Sequence, residues 1–398
     1  MTVTAPPAGP GIAARRARLA VAAIFLTNGA LFANLVPRFP EVKEALGLSN
    51  ALLGAALAAA PLGALTGGLC ASAVIRLIRS ARAGAFGIPL IAVGFLLVAA
   101  APNWWALAAV LLLAGAADAI VDVAQNAHGL RVQRLYGRSI VNSFHGLWSV
   151  GAVLGGLMGS AAAGLGIPLP IHLAAAGVLF SVVALGAYRF MLPGPDDTER
   201  DPAPTTTRRA FPRTAVWMLA ALGGLALFGS LVEDAGASWG ALFLSEDLGA
   251  TAATAGLAFV ALQGAMTVGR LLGDRAVDRF GQRTVTRTGG AVAAAGMGVA
   301  LAFPSVGTAL AGFALAGLGT ATLVPAAMHT ADELPGLPPG AGLTIVSWVL
   351  RVGFLASPPL IGLVADHSSL RVGLLSVVIA GVGTVLLGRV LLNRPAAR

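Results

Sequence analysis

The sequence predicts an all-α integral membrane protein with twelve transmembrane helices in two pseudo-symmetric six-helix bundles. Of its 398 residues, 57% are hydrophobic and only 11% are charged, whereas an ordinary soluble domain has about 25% charged residues. The mean hydropathy is +0.84. Twelve apolar runs, each long enough to cross a bilayer, are divided six and six by one polar stretch. This composition excludes a soluble enzyme, a nucleic-acid-binding protein and a disordered chain.

The predicted elements follow from apolar runs bounded by glycine, proline and charge. A tail (1–17) precedes the N-terminal bundle (18–191), a linker rich in Pro, Thr, Asp and Arg (192–213) follows, and the C-terminal bundle (214–392) ends in a tail (393–398). The twelve predicted spans are 18–38, 49–74, 83–101, 104–130, 141–165, 168–191, 214–244, 251–272, 285–303, 307–330, 341–364 and 370–392.

The distribution of basic residues predicts the topology. All of the 26 Lys and Arg residues except Arg38, Lys43, Arg351 and Arg371 fall in tails, loops or helix ends on the side of the two termini. Because positive charge is retained in the cytoplasm, both termini are expected there, in a multi-pass protein of the cytoplasmic (inner) membrane. The arginines before the first span could instead belong to a secretory or twin-arginine signal, but eleven further spans favour a cytoplasmic anchor.

The two halves also resemble each other in sequence. The segment Gly63–Gly68 (GALTGG) matches Gly264–Gly269 (GAMTVG) 201 residues later. A parallel repeat of this kind is typical of transporters, which bind their solute between the halves near the membrane midplane.

A glycine- and arginine-rich motif, Gly269–Arg283, is predicted to form the cytoplasmic turn between the eighth and ninth spans. Its acid, Asp278, could pair with an arginine or a helix end and so form a latch that breaks when the halves move. The motif resembles the signature loop of the major facilitator superfamily, although Gln282 replaces a basic residue and the first half has no equivalent acid. The matching positions are Gly273, Asp278, Arg279, Gly281 and Arg283.

A narrower resemblance involves residues 122–129 and 143–151 together with Glu233 and Trp239. These segments resemble the YbjJ-like inner-membrane permeases, relatives of the fucose–proton symporters. The resemblance implies a proton-coupling acid on the fourth span, where Asp122 stands. The second acid of that group, on the first span, has no match here, since that helix offers Asn28 and Asn34 instead.

Acidic residues inside predicted spans are costly and therefore indicate a cavity or a partner. Asp118, Asp122 and Asn126 are spaced by four residues and form one polar stripe beside Gln125. Two like charges at this spacing repel unless one is protonated. We therefore predict Asp122 as the proton carrier and Asp118 as its coupled neighbour, although a structural hydrogen-bond seam would give the same pattern.

Further polar residues complete the predicted cavity. Glu233 is a third candidate for proton coupling, while its neighbour Asp234 is expected near the headgroups. Arg351 is predicted to face Asp118 or Asp122 and to exchange partners during transport, a static neutralising pair being the alternative. The predicted cavity residues are Asn28, Gln125, Asn126, Trp148, Gln263, Trp348 and Arg351.

No metal or cofactor is expected. Cys70 is the single cysteine, and His128 and His145 do not have metal-ligand spacing and are expected to be ordinary interfacial histidines. The sequence also has no nucleophile–base set of an enzyme and no ATP-binding motif.

The sequence therefore predicts a secondary active transporter that moves a small polar solute, sugar- or nucleoside-like, by alternating access. Proton coupling in a symport mode is expected, and a proton-coupled drug or metabolite efflux pump is the alternative. A receptor or scaffold would not need the buried ionisable residues. The expected partners are the solute, protons and the lipid bilayer, with no nucleic acid, and the protein is expected to be a monomer.

Overall fold

A computed structural model describes residues 11–137, 140–196, 213–334, 337 and 340–391, and these residues form helices and turns without a strand. Twelve of the described helical segments are long and apolar enough to cross a membrane, so the predicted fold class is confirmed. In chain order, spans 1 to 12 are Ile12–Ala45, Asn50–Ile78, Ser80–Val98, Trp104–Tyr136, Val141–Gly164, Leu169–Tyr188, Ala215–Asp247, Ala252–Phe280, Gln282–Ala302, Val306–Asp332, Ala341–His367 and Leu370–Val390.

Several helices are longer than the apolar runs that predicted them. Span 8 ends at Phe280, eight residues beyond its predicted end, and span 4 continues to Tyr136. The 29 residues of span 8 reach about 43 Å, compared with a hydrocarbon core of about 30 Å. Hydropathy marks only the part of a helix that lies in lipid, so it predicts loops where the structure has polar helix extensions.

The structural repeat has an offset of 202 residues rather than the 201 suggested by the sequence match. Spans 2 and 8 begin at Asn50 and Ala252 and end at Ile78 and Phe280, so both pairs of bounds differ by 202. Their N-cap residues, Ser49 and Thr251, keep the same offset. Short matches in Gly- and Ala-rich helices occur by chance, whereas helix ends and caps fix the register.

Glycines that pack closely against a neighbouring helix also recur at the offset of 202 residues. Gly115 of span 4 lies against the carbonyl of Ala60 on span 2, and Gly317 of span 10 lies against the carbonyl of Leu262 on span 8. Small residues let helix backbones approach in a membrane, where packing rather than water exclusion holds helices together. The same contact therefore organises both halves.

The halves meet where span 2 packs on span 11 and span 5 packs on span 8. Because successive spans alternate in direction, span 1 begins and span 12 ends on one side, called here the terminal side; the other is the distal side. On the distal side the two halves touch through backbone: Gly54 lies against the carbonyl of Pro358, and Gly362 against that of Asn50.

Charged groups reinforce the distal contact. Lys43 Nζ at the end of span 1 lies 2.7 Å from Glu246 Oε2 at the end of span 7. Asp366 at the end of span 11 accepts hydrogen bonds from the backbone N–H groups of Asn50 (2.9 Å) and Ala51 (2.8 Å) at the start of span 2. The two halves are thus held together on the distal side.

The segment that follows span 6 is held to the terminal side by a buried histidine. The backbone N–H of Leu192 donates to His128 Nε2 (3.1 Å), and His128 Nδ1 lies 2.9 Å from Ser80 Oγ at the start of span 3. Asp196 accepts from the backbone N–H of Ser80 at 2.9 Å. His128 is therefore buried and structural, not interfacial, while residues 197–212 of the predicted linker lie outside the described part of the chain.

Candidate translocation site

The first acid of the span 4 stripe is held by an asparagine of span 1. Asn28 Nδ2 donates to Asp118 Oδ1 at 2.7 Å, and Trp148 Nε1 of span 5 donates to Asn28 Oδ1 at 2.9 Å. Gly29 packs directly on the backbone of Trp148, which brings spans 1 and 5 close enough for this bridge. Three of the predicted site residues thus form one connected group.

The second acid, Asp122, is bound by its own helix. Asp122 Oδ1 accepts from Gln125 Nε2 (3.2 Å) and from Asn126 Nδ2 (3.0 Å), and Asn126 Nδ2 also donates to the Asp122 carbonyl at 2.8 Å. The spacings of three and four residues place these side chains on one face, as predicted. No basic side chain of the described ranges forms an ion pair with either aspartate.

The stripe continues across span 5. Asn126 Oδ1 lies 3.1 Å from His145 Nε2, and the Ser149 hydroxyl, one turn further along span 5, donates to the His145 carbonyl at 3.2 Å. Arg270 of span 8 then approaches Ser149 Oγ with Nη1 at 3.5 Å. These contacts form a polar path from Asp122 to the boundary between the halves.

The same arginine reaches the third predicted acid. Arg270 Nη2 lies 3.7 Å from Glu233 Oε2 of span 7. Arg270 therefore stands between a serine of the N-terminal half and a glutamate of the C-terminal half. We name the set Asp122, Asn126, His145, Ser149, Arg270 and Glu233 the inter-half polar chain.

Arg270 and His145 belong to this site but are not among the predicted site residues. The adjacent glycine-rich motif predicts that Arg270 is a cytoplasmic arginine, but Arg270 lies ten residues before the end of span 8. His145 was expected to be interfacial, yet it contacts the stripe. A useful signal existed for Arg270, since Gln263 and Thr267 precede it at helical spacing and make a polar face on span 8.

The predicted pairing of Arg351 with Asp118 or Asp122 is not found. Within the described residues Arg351 forms no ion pair, and its Nη1 lies beside Gly68 of span 2. The 202-residue offset explains this position. Gly68 corresponds to Arg270 and Ser149 to Arg351, so each interface places an arginine of the C-terminal half over a small residue of the N-terminal half.

The other predicted cavity residues are placed differently. Gln263 is buried on span 8, and its Nε2 makes no hydrogen bond to a described residue. Trp348 is 43% exposed and lies three residues before Arg351, on the same side of span 11. Asp234, expected near the headgroups, is instead buried within the protein and accepts from the Ser238 hydroxyl at 2.7 Å.

The glycine- and arginine-rich motif is mostly helical, not a turn. Gly273, Asp278 and Arg279 lie inside span 8, and the connection to span 9 is Gly281, with a φ of 82°. Asp278 is exposed and forms no ion pair with a described residue. Arg283 donates to the Leu391 carbonyl at 3.0 Å. The predicted latch is therefore not formed in this conformation.

Relatives of known class cover most of the chain. A family model described as Major Facilitator Superfamily matches residues 234–398. An uncharacterized MFS-type transporter of Yersinia pestis is 32% identical over 357 residues, covering 87% of this chain and 88% of the relative. Membrane protein MosC of Rhizobium meliloti is 32% identical over 363 residues, covering 91% of this chain and 87% of MosC.

Solved structures have the same fold. The nucleoside transporter NupG superposes with a TM-score of 0.70 at 14% identity, covering 95% of this chain and 98% of NupG. A bacterial homologue of the human lysosomal transporter Spinster, in an inward-facing and occupied conformation, superposes with a TM-score of 0.68 at 16% identity. The match covers 94% of this chain and 95% of the homologue. With these relatives and twelve spans in the family's arrangement, the chain belongs to the major facilitator superfamily of membrane transporters.

Proposed function

We propose that this transporter is proton-coupled and moves a small polar solute across the cytoplasmic membrane by alternating access. The observation that carries the proposal is the inter-half polar chain, which connects the acid stripe of span 4 to Arg270 and Glu233 across the boundary between the halves. Through these contacts, protonation of Asp122 would change how strongly the two halves interact at Arg270.

The energy source follows from the coupling. One proton that crosses 100 mV supplies about 2.3 kcal/mol, which supports roughly 50-fold accumulation of the solute. Asp122 has neutral partners, Gln125 and Asn126, which can hydrogen-bond either its charged or its neutral form. Protonation would therefore leave the local contacts intact and change the charge that Arg270 experiences through the chain.

The solute class follows from the neutral hydrogen-bonding groups near the stripe. Asn28, Gln125, Asn126 and Trp148 carry amides and an indole that hydrogen-bond to one another and to the acid stripe in this conformation. Once exchanged for bonds to a solute, these neutral groups would suit hydroxyl-rich or nucleoside-like molecules. The fold likeness to a nucleoside transporter agrees with this class, and the resemblance to YbjJ-like permeases stays a prediction.

In alternating access the present conformation is the one closed on the distal side. With the termini in the cytoplasm, as the arginine distribution predicts, this is the inward-facing state. Opening to the outside then requires separation of Lys43 from Glu246 and of Asp366 from the start of span 2. A solute or proton can drive this change only by binding the two states with different affinities.

Untargeted profiling of metabolites and drugs in the medium tests the proposal. Cells would express the wild type, Asp122→Asn, the exposed-acid control Asp332→Asn, or an empty vector, at matched protein levels. We expect the wild type and Asp332→Asn to deplete one polar solute. Asp122→Asn should lose uncoupler-sensitive accumulation but keep solute exchange, because the solute contacts remain.

Other outcomes are decisive as well. Accumulation of a compound outside the cells, lost in Asp122→Asn, would replace uptake by efflux. Accumulation by Asp122→Asn equal to wild type and equally sensitive to uncoupler would remove Asp122 from the coupling step. Identical media from wild type and empty vector across a broad panel would contradict transport of a small polar solute.

A further inference from the structure

A second buried acid lies outside the inter-half polar chain. Asp234 on span 7 is only 7% exposed, and its Oδ1 accepts from the Ser238 hydroxyl. Its Oδ2 makes no hydrogen bond to a described residue. A buried carboxylate without a compensating partner is costly, so it is expected either to be neutralised or to bind a cation.

Span 11 brings a buried hydroxyl to Asp234, in a stretch of helix that contains two prolines. The Ser357 hydroxyl of span 11 lies near the Asp234 carboxylate, is fully buried and forms no well-aligned hydrogen bond within the described chain. Pro358 and Pro359 follow inside the same helix. Because proline has no N–H, the carbonyls of Phe354 and Leu355 have no helical donor.

The backbone of span 7 is irregular at the same place. Residues Ala235–Trp239, directly after Asp234, form a π-helical turn. Such turns are rare and occur frequently at functional sites. Irregular backbone deep in a membrane protein is also where transporters coordinate Na⁺ or H⁺ with carbonyl oxygens. Two helices thus place a carboxylate, two hydroxyls and irregular backbone at one point.

Among the described residues, no positive side chain compensates Asp234. The one charged group that acts on it is its neighbour Glu233, which itself lies 3.7 Å from Arg270 of span 8. Spans 10, 11 and 12, which also pack on span 7, bring no described charged group to this carboxylate. A single carboxylate among neutral oxygens suits a cation of charge +1 rather than a divalent ion, which takes six to eight ligands with more carboxylates.

We infer that Asp234, together with the hydroxyls of Ser238 and Ser357, forms a second site for a monovalent cation, H⁺ or Na⁺, between spans 7 and 11. The role of this site rests on the proposed function, because a bound ion there would be coupled to transport. Ion binding itself does not depend on transport. It lies next to the distal contact: the carbonyl of Pro358 packs on Gly54, and Trp239 packs on Gly362. Occupancy of the site can therefore stabilise or loosen that contact.

Ion binding can be measured on the purified protein without any solute. Thermal unfolding of the full chain in nanodiscs would be followed with increasing Na⁺ at pH 7.5, with choline as the replacement ion, and separately between pH 5 and 8.5 without Na⁺. A cation that binds only the folded protein raises the midpoint as its concentration rises. Asp234→Asn, Ser357→Ala and the matched controls Asp332→Asn and Ser376→Ala would be compared with wild type.

We expect the wild type and both controls to respond to one of the two ions and Asp234→Asn to lose that response. If the ion is Na⁺, Ser357→Ala should raise the half-saturating Na⁺ concentration about tenfold, as expected for one lost oxygen ligand of about 1.4 kcal/mol. A Na⁺ response that is lost in Asp234→Asn identifies a sodium site. Because other titratable groups also make the midpoint depend on pH, a proton site is identified by the part of the pH response in Na⁺-free buffer that is lost in Asp234→Asn.

Equal responses of wild type, Asp234→Asn and Ser357→Ala to both ions would overturn the inference. If Asp234→Asn does not fold, the ion responses of Ser357→Ala and Ser238→Ala test the site instead. Wild-type responses of both variants would also overturn the inference. Asp122→Asn should keep the ion response. A failure of ion binding therefore leaves the transport proposal to its own assay, and a failure of transport leaves ion binding measurable.

Discussion

At the residue scale, Arg270 is the residue of the inter-half polar chain that connects the two halves. Its guanidinium lies between Ser149 Oγ at 3.5 Å and Glu233 Oε2 at 3.7 Å, distances that allow either partner to move. A planar guanidinium serves two partners at once, whereas an ammonium of lysine acts as a point charge. The residue is therefore expected to matter for its shape as well as its charge.

We expect Arg270→Gln to reduce transport at least about tenfold, equivalent to a loss of about 1.4 kcal/mol, and Arg270→Lys to recover only part of it. Arg275→Gln, on the exposed part of the same helix, is the control and should transport like wild type. Initial rates of the solute identified by profiling would be compared. Full activity of Arg270→Gln would show that the polar chain is not needed.

Arg79 occupies a backbone conformation that favours glycine. Its φ of 74° and ψ of 154° lie in a region that costs other residues about 1–3 kcal/mol. The repeat-related residue in the second half, 202 positions later, is Gly281, with φ 82° and ψ 145°. The two turns have the same backbone geometry, but only the second has glycine, the residue that adopts this geometry without strain.

Arg79→Gly should therefore raise the thermal unfolding midpoint in detergent, because relief of strain exceeds the cost of about 1 kcal/mol for greater freedom of the unfolded chain. Arg76→Gly, in the last turn of span 2, removes the same charge from a helical position and should lower it. A lower midpoint for Arg79→Gly than for Arg76→Gly would contradict the strain at this turn.

At the scale of the element, glycine contacts between helices hold each half together. Gly317 on span 10 has the carbonyl of Leu262 where a Cβ would be, as Gly115 has that of Ala60. A methyl group there must push two helices apart. Overpacking of this kind costs about 1–3 kcal/mol.

Gly317→Ala and Gly115→Ala should each lower the unfolding midpoint by a similar amount, because the two contacts are related by the repeat. Gly298→Ala on span 9 is the matched control, since nothing lies within 4 Å of its added Cβ. That change should leave the midpoint unchanged or raise it, as alanine favours helix by about 1 kcal/mol. Equal midpoints for all three variants would show that these contacts do not limit stability.

The spans were predictable because apolar length is a property of the chain itself. The acid stripe was predictable for the same reason, since residues spaced by four share a helix face. Helical spacing also puts Arg270 on a polar face with Gln263 and Thr267, but it does not give the partners of Arg270, Arg351 or Asp234. Their positions depend on the rotation of one helix against another and on a repeat register that the sequence match misplaced by one residue.

At the scale of the whole molecule, the distal contact decides which side is open. Lys43 and Glu246 come from opposite halves and approach to 2.7 Å, and Asp366 binds the start of span 2 beside them. The side chains of Lys43 and Glu246 are 14% and 38% exposed, and an ion pair near the surface contributes only about 0–1 kcal/mol. The ion pair is therefore weak enough to break in each cycle, which alternating access requires.

A reversible cross-link across this contact should stop transport. Cys70 is the single cysteine, so Cys70→Ser provides a background for Lys43→Cys combined with Glu246→Cys, joined by a cleavable bifunctional thiol reagent. We expect solute transport to fall to the empty-vector level on cross-linking and to return on reduction, because the halves must separate there. Each single-cysteine variant with the same reagent is the control. Undiminished transport by the cross-linked protein would mean that the halves do not part on the distal side, and alternating access through this contact would then be wrong.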